Sequence, residues 1–468
     1  MNREFDTISA ICTGLTESGI SVIRISGPDS VKTADMIFRS PSGKVPSLFT
    51  SNVMHFGHIY DGGGDLIDEA MCVVMRSPHS YTAEDCVEIQ CHGGIRVTSL
   101  IQEIILSCGI RQADPGEFTK RAFLNGRIDL SQAEAVMSLI SAGSERAVTL
   151  SSGILEGRLG NKIRDLRDSL KYAIAHIEAA LDDPDEIEYS REDMIRDVGP
   201  VMDELQVLIS SFKTGRLIES GADTVITGLP NSGKSSLMNF FSGEETSIVT
   251  DIPGTTRDAV RTRVTLDRDI VLNLTDTAGL RDTDDTIEKI GVDRTLSLME
   301  KADLIIFLVD GSVSYDPEND RILEMIRDKR SVILLTKSDL PAAHGSGFEN
   351  INKYKSGEEP GIPVISFSSV TGDGFDDLKE AIREKMGMGS GAGTGEFDLM
   401  LTSSRQESLA GKALSDIRSA IDDCDKGVTE DLYVSHLYEA YDRLSEILGE
   451  EVGEDIIDEI FSSFCLGK

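Results

Sequence analysis

The segment "GADTVITGLPNSGKSS", residues 221–236, constrains this chain more than any other. An apolar run enters Gly228-Leu229-Pro230-Asn231-Ser232-Gly233-Lys234-Ser235 and a helical run leaves it, which is G-x-x-x-x-G-K-[ST] in a strand–loop–helix setting. Backbone N–H groups of such a loop cradle phosphates, Lys234 reaches the β and γ phosphates, and Ser235 ligates magnesium. A chance glycine-rich turn carries no such flanks.

Downstream, "DLIIFLVD", "SVILLTKSD" and "IPVISFSS" are apolar strands between helical stretches, the alternation of a doubly wound, mostly parallel sheet. Asp276-Thr277-Ala278-Gly279 follows the strand "IVLNLT", which sets a carboxylate near the magnesium and the Gly279 N–H near the γ phosphate. In "TKSD", Asp339 is placed to accept from guanine N1–H and the exocyclic amine, with the Lys337 stem over the ring. Ser368-Ser369-Val370 fits the loop that closes on guanine O6. Each of these two motifs alone reads equally well as an ordinary αβ loop. Thr336 stands where GTPases usually carry asparagine, and weaker base affinity is the expected result. Leu280 replaces the glutamine that orients the attacking water in many small GTPases, so another group must position it.

The 468 residues suggest two to four domains, and a formal charge of −35, from 81 acidic and 46 basic residues, argues against a broad basic surface coating nucleic acid. Seven scattered cysteines without C-x-x-C spacing fit a reducing compartment. The start "MNREFDTISA" lacks an apolar core and no run approaches a membrane span, so a cytoplasmic protein without membrane association is expected. Residues 1–120 mix short strands and turns as a small α+β domain. From "SQAEAV" the character is helical, with Ser131 and Glu134 at capping-box spacing. The predicted organisation is residues 1–120, a helical segment 121–216, an α/β domain 217–386, and a second helical segment 387–468 packing with the first. The acidic run 181–193 is expected to be a solvated loop between helices.

"GLPNSGKSS", "IVTDIPGTTRD", "DTAGL", the opening domain and the terminal "FCLGK" together resemble the bacterial tRNA-modification GTPases of the MnmE (TrmE) family, essentially from end to end. The resemblance implies a multidomain fold: an α+β folate-binding-like N-terminal domain, a discontinuous helical domain, and an inserted Ras-like P-loop GTPase domain. It implies GTP hydrolysis with Lys234 and Glu288 as catalytic residues, Glu288 orienting the attacking water through a second water. From the sequence alone, Glu288 reads more readily as a carboxylate favouring a helix dipole, and Arg257 as a mobile loop charge.

The family carries no arginine finger, and a potassium ion acts as two G domains dimerise. Asn231, Thr250, Ile252 and Thr255 match its potassium ligands, and Ser235 and Thr256 the magnesium ligands. The implied GTP site spans Asn231, Ser232, Gly233, Lys234, Ser235, Ser236, Thr250, Asp251, Ile252, Pro253, Gly254, Thr255, Thr256, Asp276, Thr277, Ala278, Gly279, Lys337, Asp339, Ser368, Ser369 and Val370.

Arg24, Glu88, Arg127 and Lys468 match positions contacting 5-formyl- or 5,10-methylene-tetrahydrofolate, although Arg24 and Glu88 by themselves read as a buried salt bridge or a solvated face. Cys465 reads equally as a reactive thiol or as a packed small residue, and Cys91-His92-Gly93-Gly94 as a strand-end turn.

The implied function is modification of the wobble uridine of certain tRNAs at C5, adding an aminomethyl or carboxymethylaminomethyl group. The implied assembly is a homodimer joined to an FAD-containing MnmG/GidA-type protein as a heterotetramer. Two other readings stay open: a regulatory or ribosome-assembly GTPase binding module, and an independent one-carbon transferase.

Overall fold

The computed structural model describes residues 6–183, 189–243, 250–251, 261–275, 298–341, 351, 353–354, 361–388, 399–450, 452–462, 464 and 467. They form two compact units: Met1–Met137 with Gly160–Arg164 and Leu444–Lys468, and Ser138–Leu159 with Asp165–Arg443.

The first unit is built on β1 (Ile8–Ile11), β2 (Ile20–Ser26), β3 (Phe38–Arg39), β4 (Met54–Tyr60), β5 (Leu66–Met75), β6 (Cys86–His92) and β7 (Arg111–Gln112), with helices α1 (Ser30–Ile37), α2 (Ile95–Ser107) and α3 (Glu117–Leu124). The sheet order is β3-β4-β5-β6-β2-β1-β7, antiparallel throughout except for the β1–β7 pair. Side chains alternate across a pleated sheet. Ile23, Ile25, Cys72, Val74, Val87 and Ile89 therefore face one way, fully buried with Ala34 and Ile37 of α1 and Ile101 and Ile105 of α2. Each such Ile or Val contributes roughly 1.5–3 kcal/mol by leaving water. The other face carries Val22, Arg24, Met71, Val73, Glu88 and Gln90.

Four helices follow: α4 (Leu130–Ser141), α5 (Glu145–Leu155), α6 (Arg158–Asp182) and α7 (Arg191–Ser220). The cap of α4 is not the expected Ser131/Glu134 pair. Asp129 Oδ1 accepts from the Gln132 backbone N–H at 3.0 Å, and Gln132 Oε1 accepts from the Asp129 N–H at 2.9 Å. The same reciprocal satisfaction of orphan donors thus sits two residues earlier, and Ser131 is buried inside the first turn. The two ends of the acidic run are helix, and residues 184–188 between them lie outside the described residues. Leu181 and Asp182 close α6, and Ser190 with Asp193 forms a capping box at the start of α7.

The second unit's sheet has β8 (Ala222–Gly228), β9 (Thr250–Asp251), β10 (Arg261–Thr265), β11 (Val271–Thr275), β12 (Leu304–Asp310), β13 (Ser331–Thr336) and β14 (Val364–Ser366), in the order β14-β13-β12-β8-β11-β10-β9. From β11 to β14 all pairs are parallel, as the alternating sequence predicts, while β9 and β10 add an antiparallel edge. Helices α8 (Lys234–Gly243), α9 (Glu318–Ile326) and α10 (Phe375–Lys385) belong to this fold. Ile305, Phe307, Ile326 and Ile333 share its core. Beyond it, α11 (Ser404–Asp425) packs along α7, so helices from either side of the inserted sheet meet. The chain continues with α12 (Glu430–Leu448) and α13 (Glu454–Ser462). Among the described residues no helix is long and apolar enough to cross a membrane.

Candidate functional site

Strand β8 ends at Gly228, whose φ of +153° and lack of a side chain are both required: a Cβ there would lie 2.4 Å from the Leu308 carbonyl oxygen. The loop turns through Asn231 at φ +62° and Gly233 at φ +101°. Asn231 is exposed, and Ser235 and Ser236 are exposed at the open N-terminus of α8, where unpaired N–H groups and the helix dipole favour an anion. Lys234 folds back over the loop, its Nζ donating to the Gly228 and Leu229 carbonyls at 2.9 Å each. Ser232 is buried, and its Oγ has no hydrogen-bond partner among the described residues. A buried hydroxyl facing an anion cradle is a group that a bound phosphate can satisfy.

The two base-loop motifs come together. Ser368 Oγ donates to Asp339 Oδ1 at 2.7 Å and accepts from the Val370 and Thr371 backbone N–H groups at 3.2 Å. Lys337, at φ +61°, places its Nζ 2.5 Å from Asp310 Oδ2. Burial pushes the Asp310 carboxyl up, but the Lys337 and Ser312 hydrogen bonds outweigh that and hold it below the usual range. Val370 is 81% exposed, an apolar side chain at the loop tip.

Thr336 has a task the sequence did not suggest. Its Oγ1 donates to the Ser232 carbonyl at 2.7 Å, so the base loop is tied to the backbone of the phosphate loop. A Cβ at Gly233 would already lie 3.6 Å from this side chain. Removing the hydroxyl leaves a carbonyl without its partner, at about 1–3 kcal/mol. Thr336→Val is therefore expected to weaken GTP binding roughly tenfold while leaving the preference for GTP over ATP unchanged. Nucleotide titration checks this, and a lost base preference at unchanged affinity would overturn it.

Several sequence-singled residues lie outside the described ones: Ile252, Pro253, Gly254, Thr255, Thr256, Arg257, Asp276, Thr277, Ala278, Gly279, Leu280, Glu288, Cys465 and Lys468. For Thr250 and Asp251 only the strand pairing is described.

In the first unit, Arg24 and Glu88 are register partners across β2 and β6. Arg24 Nε donates to Glu88 Oε1 at 2.8 Å, and the guanidinium lies over the Tyr81 ring at 4.5 Å and the Phe118 ring at 5.3 Å. Arg127 covers Tyr81 as well, at 4.8 Å. Burial works against the Arg24 charge, yet Cys12 and Glu88 more than compensate and keep it protonated. Its Nη1 is buried with no hydrogen-bond partner among the described residues. Near the chain end, Gly467 packs so closely on β1 that a Cβ would lie 2.4 Å from the Ile11 carbonyl oxygen.

Sequence reasoning missed Tyr81 and Phe118, for which aromatic content near an arginine strand was the only available signal. It read His92 as part of a strand-end turn and gave it no partner. Although β6 does end there, as a strand-end turn requires, His92 Nδ1 lies 2.6 Å from Asp68 Oδ1 and its backbone N–H donates to Asp68 Oδ2 at 2.9 Å. The Asp68 hydrogen bond raises the imidazole pKa.

A strand, a phosphate loop, a helix N-terminus and an Asp339 loop on one doubly wound sheet define a P-loop GTPase. The description "GTP-binding protein TrmE N-terminus" matches residues 7–127 and "MnmE helical domain" residues 130–465. The chain is similar to the tRNA modification GTPase MnmE of Lachnoclostridium phytofermentans, 43% identical over 467 residues and covering 99% of each chain. The MnmE of Geobacillus kaustophilus is 40% identical over 469 residues, covering 99% of this chain and 100% of that one, and the MnmE of Bacillus subtilis is 38% identical over 467 residues with the same coverage. This chain belongs to the MnmE family of tRNA modification GTPases.

Proposed function

We propose that this GTPase acts with an FAD-containing protein of the MnmG/GidA type to install an aminomethyl or carboxymethylaminomethyl group at C5 of the wobble uridine of certain tRNAs. The methylene carbon comes from a 5-formyl- or 5,10-methylene-tetrahydrofolate held by Arg24, Glu88, Arg127 and Lys468. The observation that carries the reading is the pairing of two sites in one chain. One is the phosphate loop tied to a guanine-type loop. The other is a cross-strand arginine–carboxylate pair whose Nη1 is buried and without a partner, as expected where a planar polar ligand completes the set.

The reading assigns residues 1–120 to folate, residues 217–386 to GTP, and the helical segments 121–216 and 387–468 to a third domain. Ser235 and Thr256 hold magnesium. Asn231, with Thr250, Ile252 and Thr255, holds potassium in a homodimer of G domains, and the exposed, left-handed Asn231 fits that role. Potassium there supplies positive charge against the developing phosphate charge. Lys234 binds the phosphates and Glu288 orients the water. With a formal charge of −35 the chain leaves most of the tRNA contact to the partner, in the cytoplasm.

The test is nucleoside mass spectrometry of tRNA from cells lacking this gene. Loss of the wobble modification, restored by the intact chain and not by Arg24→Ala, is the expected result. Full modification in the deletion would favour a regulatory GTPase instead.

A further inference from the structure

Phe240 and Phe241 are neighbours on α8 with different tasks. Phe241 is fully buried, a core residue of the second unit, with its ring 6.4 Å from that of Phe375. Phe240 is only half-buried, and it lies on the same helix that begins at Lys234 of the phosphate loop. Its ring packs edge-on against Phe367, centroids 5.4 Å apart at 87°, and against Phe375 at 5.1 Å and 78°. Those two rings flank the base loop: Phe367 immediately precedes Ser368, and Phe375 opens α10 beyond it. Between them is Gly372, at φ +79°, where a Cβ would lie 3.8 Å from the Phe240 ring. One side chain of the phosphate-loop helix therefore spans both legs of the base loop. Edge-to-face ring pairs are directional, so they favour one placement of each ring beyond what burial alone gives.

That placement reaches the Asp339 carboxylate through short bonds. The Phe367 N–H donates to the Leu335 carbonyl at 2.8 Å, and the Phe367 carbonyl accepts from the Ser338 N–H at 3.2 Å, which joins this residue to β13 and to the Asp339 loop. Ser368, the next residue, is fully buried, and its Oγ donates to Asp339 Oδ1 at 2.7 Å. The turn beyond it closes on itself. The Ser368 N–H donates to the Asp373 carbonyl at 3.1 Å, the Gly372 N–H to the Ser368 carbonyl at 2.9 Å, and Thr371 Oγ1 to Asp373 Oδ2 at 2.7 Å. A turn bonded in this way holds its own shape, and the rings at its two legs set its angle to α8.

We propose that Phe240 is a positioning residue for guanine recognition: by clamping Phe367 and Phe375 it holds Ser368 against Asp339, so that the carboxylate faces the N1–H and exocyclic amine of the base. The Ser368 hydroxyl fixes the plane of the carboxylate, while each carboxylate oxygen keeps a lone pair for the base. Thr336 acts differently, because it ties the two loops through a backbone carbonyl and bears on affinity alone. The role of Phe240 rests on the guanine reading of the Asp339 loop.

The experiment is titration of the full-length chain with GDP, inosine diphosphate (IDP) and ADP in magnesium buffer. Hypoxanthine lacks the exocyclic amine of guanine, and adenine lacks both guanine donors. A misaimed carboxylate weakens two hydrogen bonds to GDP and one to IDP. Phe240→Ala is therefore expected to bind GDP roughly tenfold more weakly and IDP only a few-fold more weakly, with ADP unchanged, so the preference for GDP over IDP narrows. Phe240→Tyr, which keeps the ring, retains the preference. Should Phe240→Ala fail to fold, Phe240→Leu, which fills similar space without ring edges, is expected to narrow the preference in the same direction. Asp339→Asn in the same titrations exchanges GDP for xanthosine diphosphate when the side chain at 339 reads the base. Without that exchange, the guanine reading fails and the proposal with it. If the exchange occurs while the folded Phe240 variants keep the full preference, or lose ADP as much as GDP, the guanine reading stands and the clamp is overturned.

Discussion

Arg121→Ala is expected to destabilise the first unit by about 3 kcal/mol, the lower end of the cost of breaking a buried ion pair. The guanidinium is 4% exposed, and its Nη2 lies 2.7 Å from Asp6 Oδ1 and 2.9 Å from Glu117 Oε1, while Nη1 lies 3.2 Å from Glu84 Oε1. The lower end applies because Asp6 is 37% exposed and Arg111 still reaches Asp6 at 2.8 Å and Glu117 at 2.6 Å. Glu84, at 18% exposed, loses the guanidinium it pairs with, whereas Glu117, at 12% exposed, keeps that of Arg111.

The loss depends on pH with a definite sign. Burial pushes the Asp6 and Glu117 carboxyls up, but the hydrogen bonds and charges of Arg111 and Arg121 outweigh it and hold both below their ordinary values of 3.8 and 4.5. A depressed carboxyl contributes stability that is complete above its unfolded value and is lost as pH falls through its folded value. The difference in melting temperature between the unaltered chain and Arg121→Ala is therefore expected to be widest near neutrality and to narrow in acid below pH 4.5. A difference that stays constant into acid would contradict the assignment.

Asn231→Gly is expected to lower potassium-stimulated GTP turnover by roughly a hundredfold, the scale set by removing one preorganised electrostatic contact to a developing charge. GTP affinity should change only a few-fold, because Lys234 and the loop N–H groups remain. Glycine is the sharper variant, since Asn231 sits at φ +62° and alanine would add a left-handed strain of about 1–2 kcal/mol to the lost ligand. Steady-state kinetics separate the two effects: kcat falls and KM holds.

The second unit was largely legible because its physics is local. A strand, a loop with obligatory positive φ at Gly233, and a helix start are contiguous, and the parallel strands are short runs buried on both faces, such as Leu304–Asp310. The helix caps were less legible. Asp129 and Ser131 are both good cap residues two positions apart, and only the packing of Ser131 into the buried first turn decides between them. Thr336 was read as the replacement of the usual asparagine, with weaker base affinity expected, whereas its hydroxyl donates to the Ser232 carbonyl, 104 residues away in sequence. The Asp68–His92 pair depends on strand register, which a single sequence states only through turns and faces.

GTP hydrolysis by the full-length chain in potassium chloride against sodium chloride, at equal ionic strength, tests the central claim most directly. The account predicts a large potassium-specific gain that is absent from Asn231→Gly. Equal rates in the two salts would contradict it and assign the missing catalytic charge to another protein.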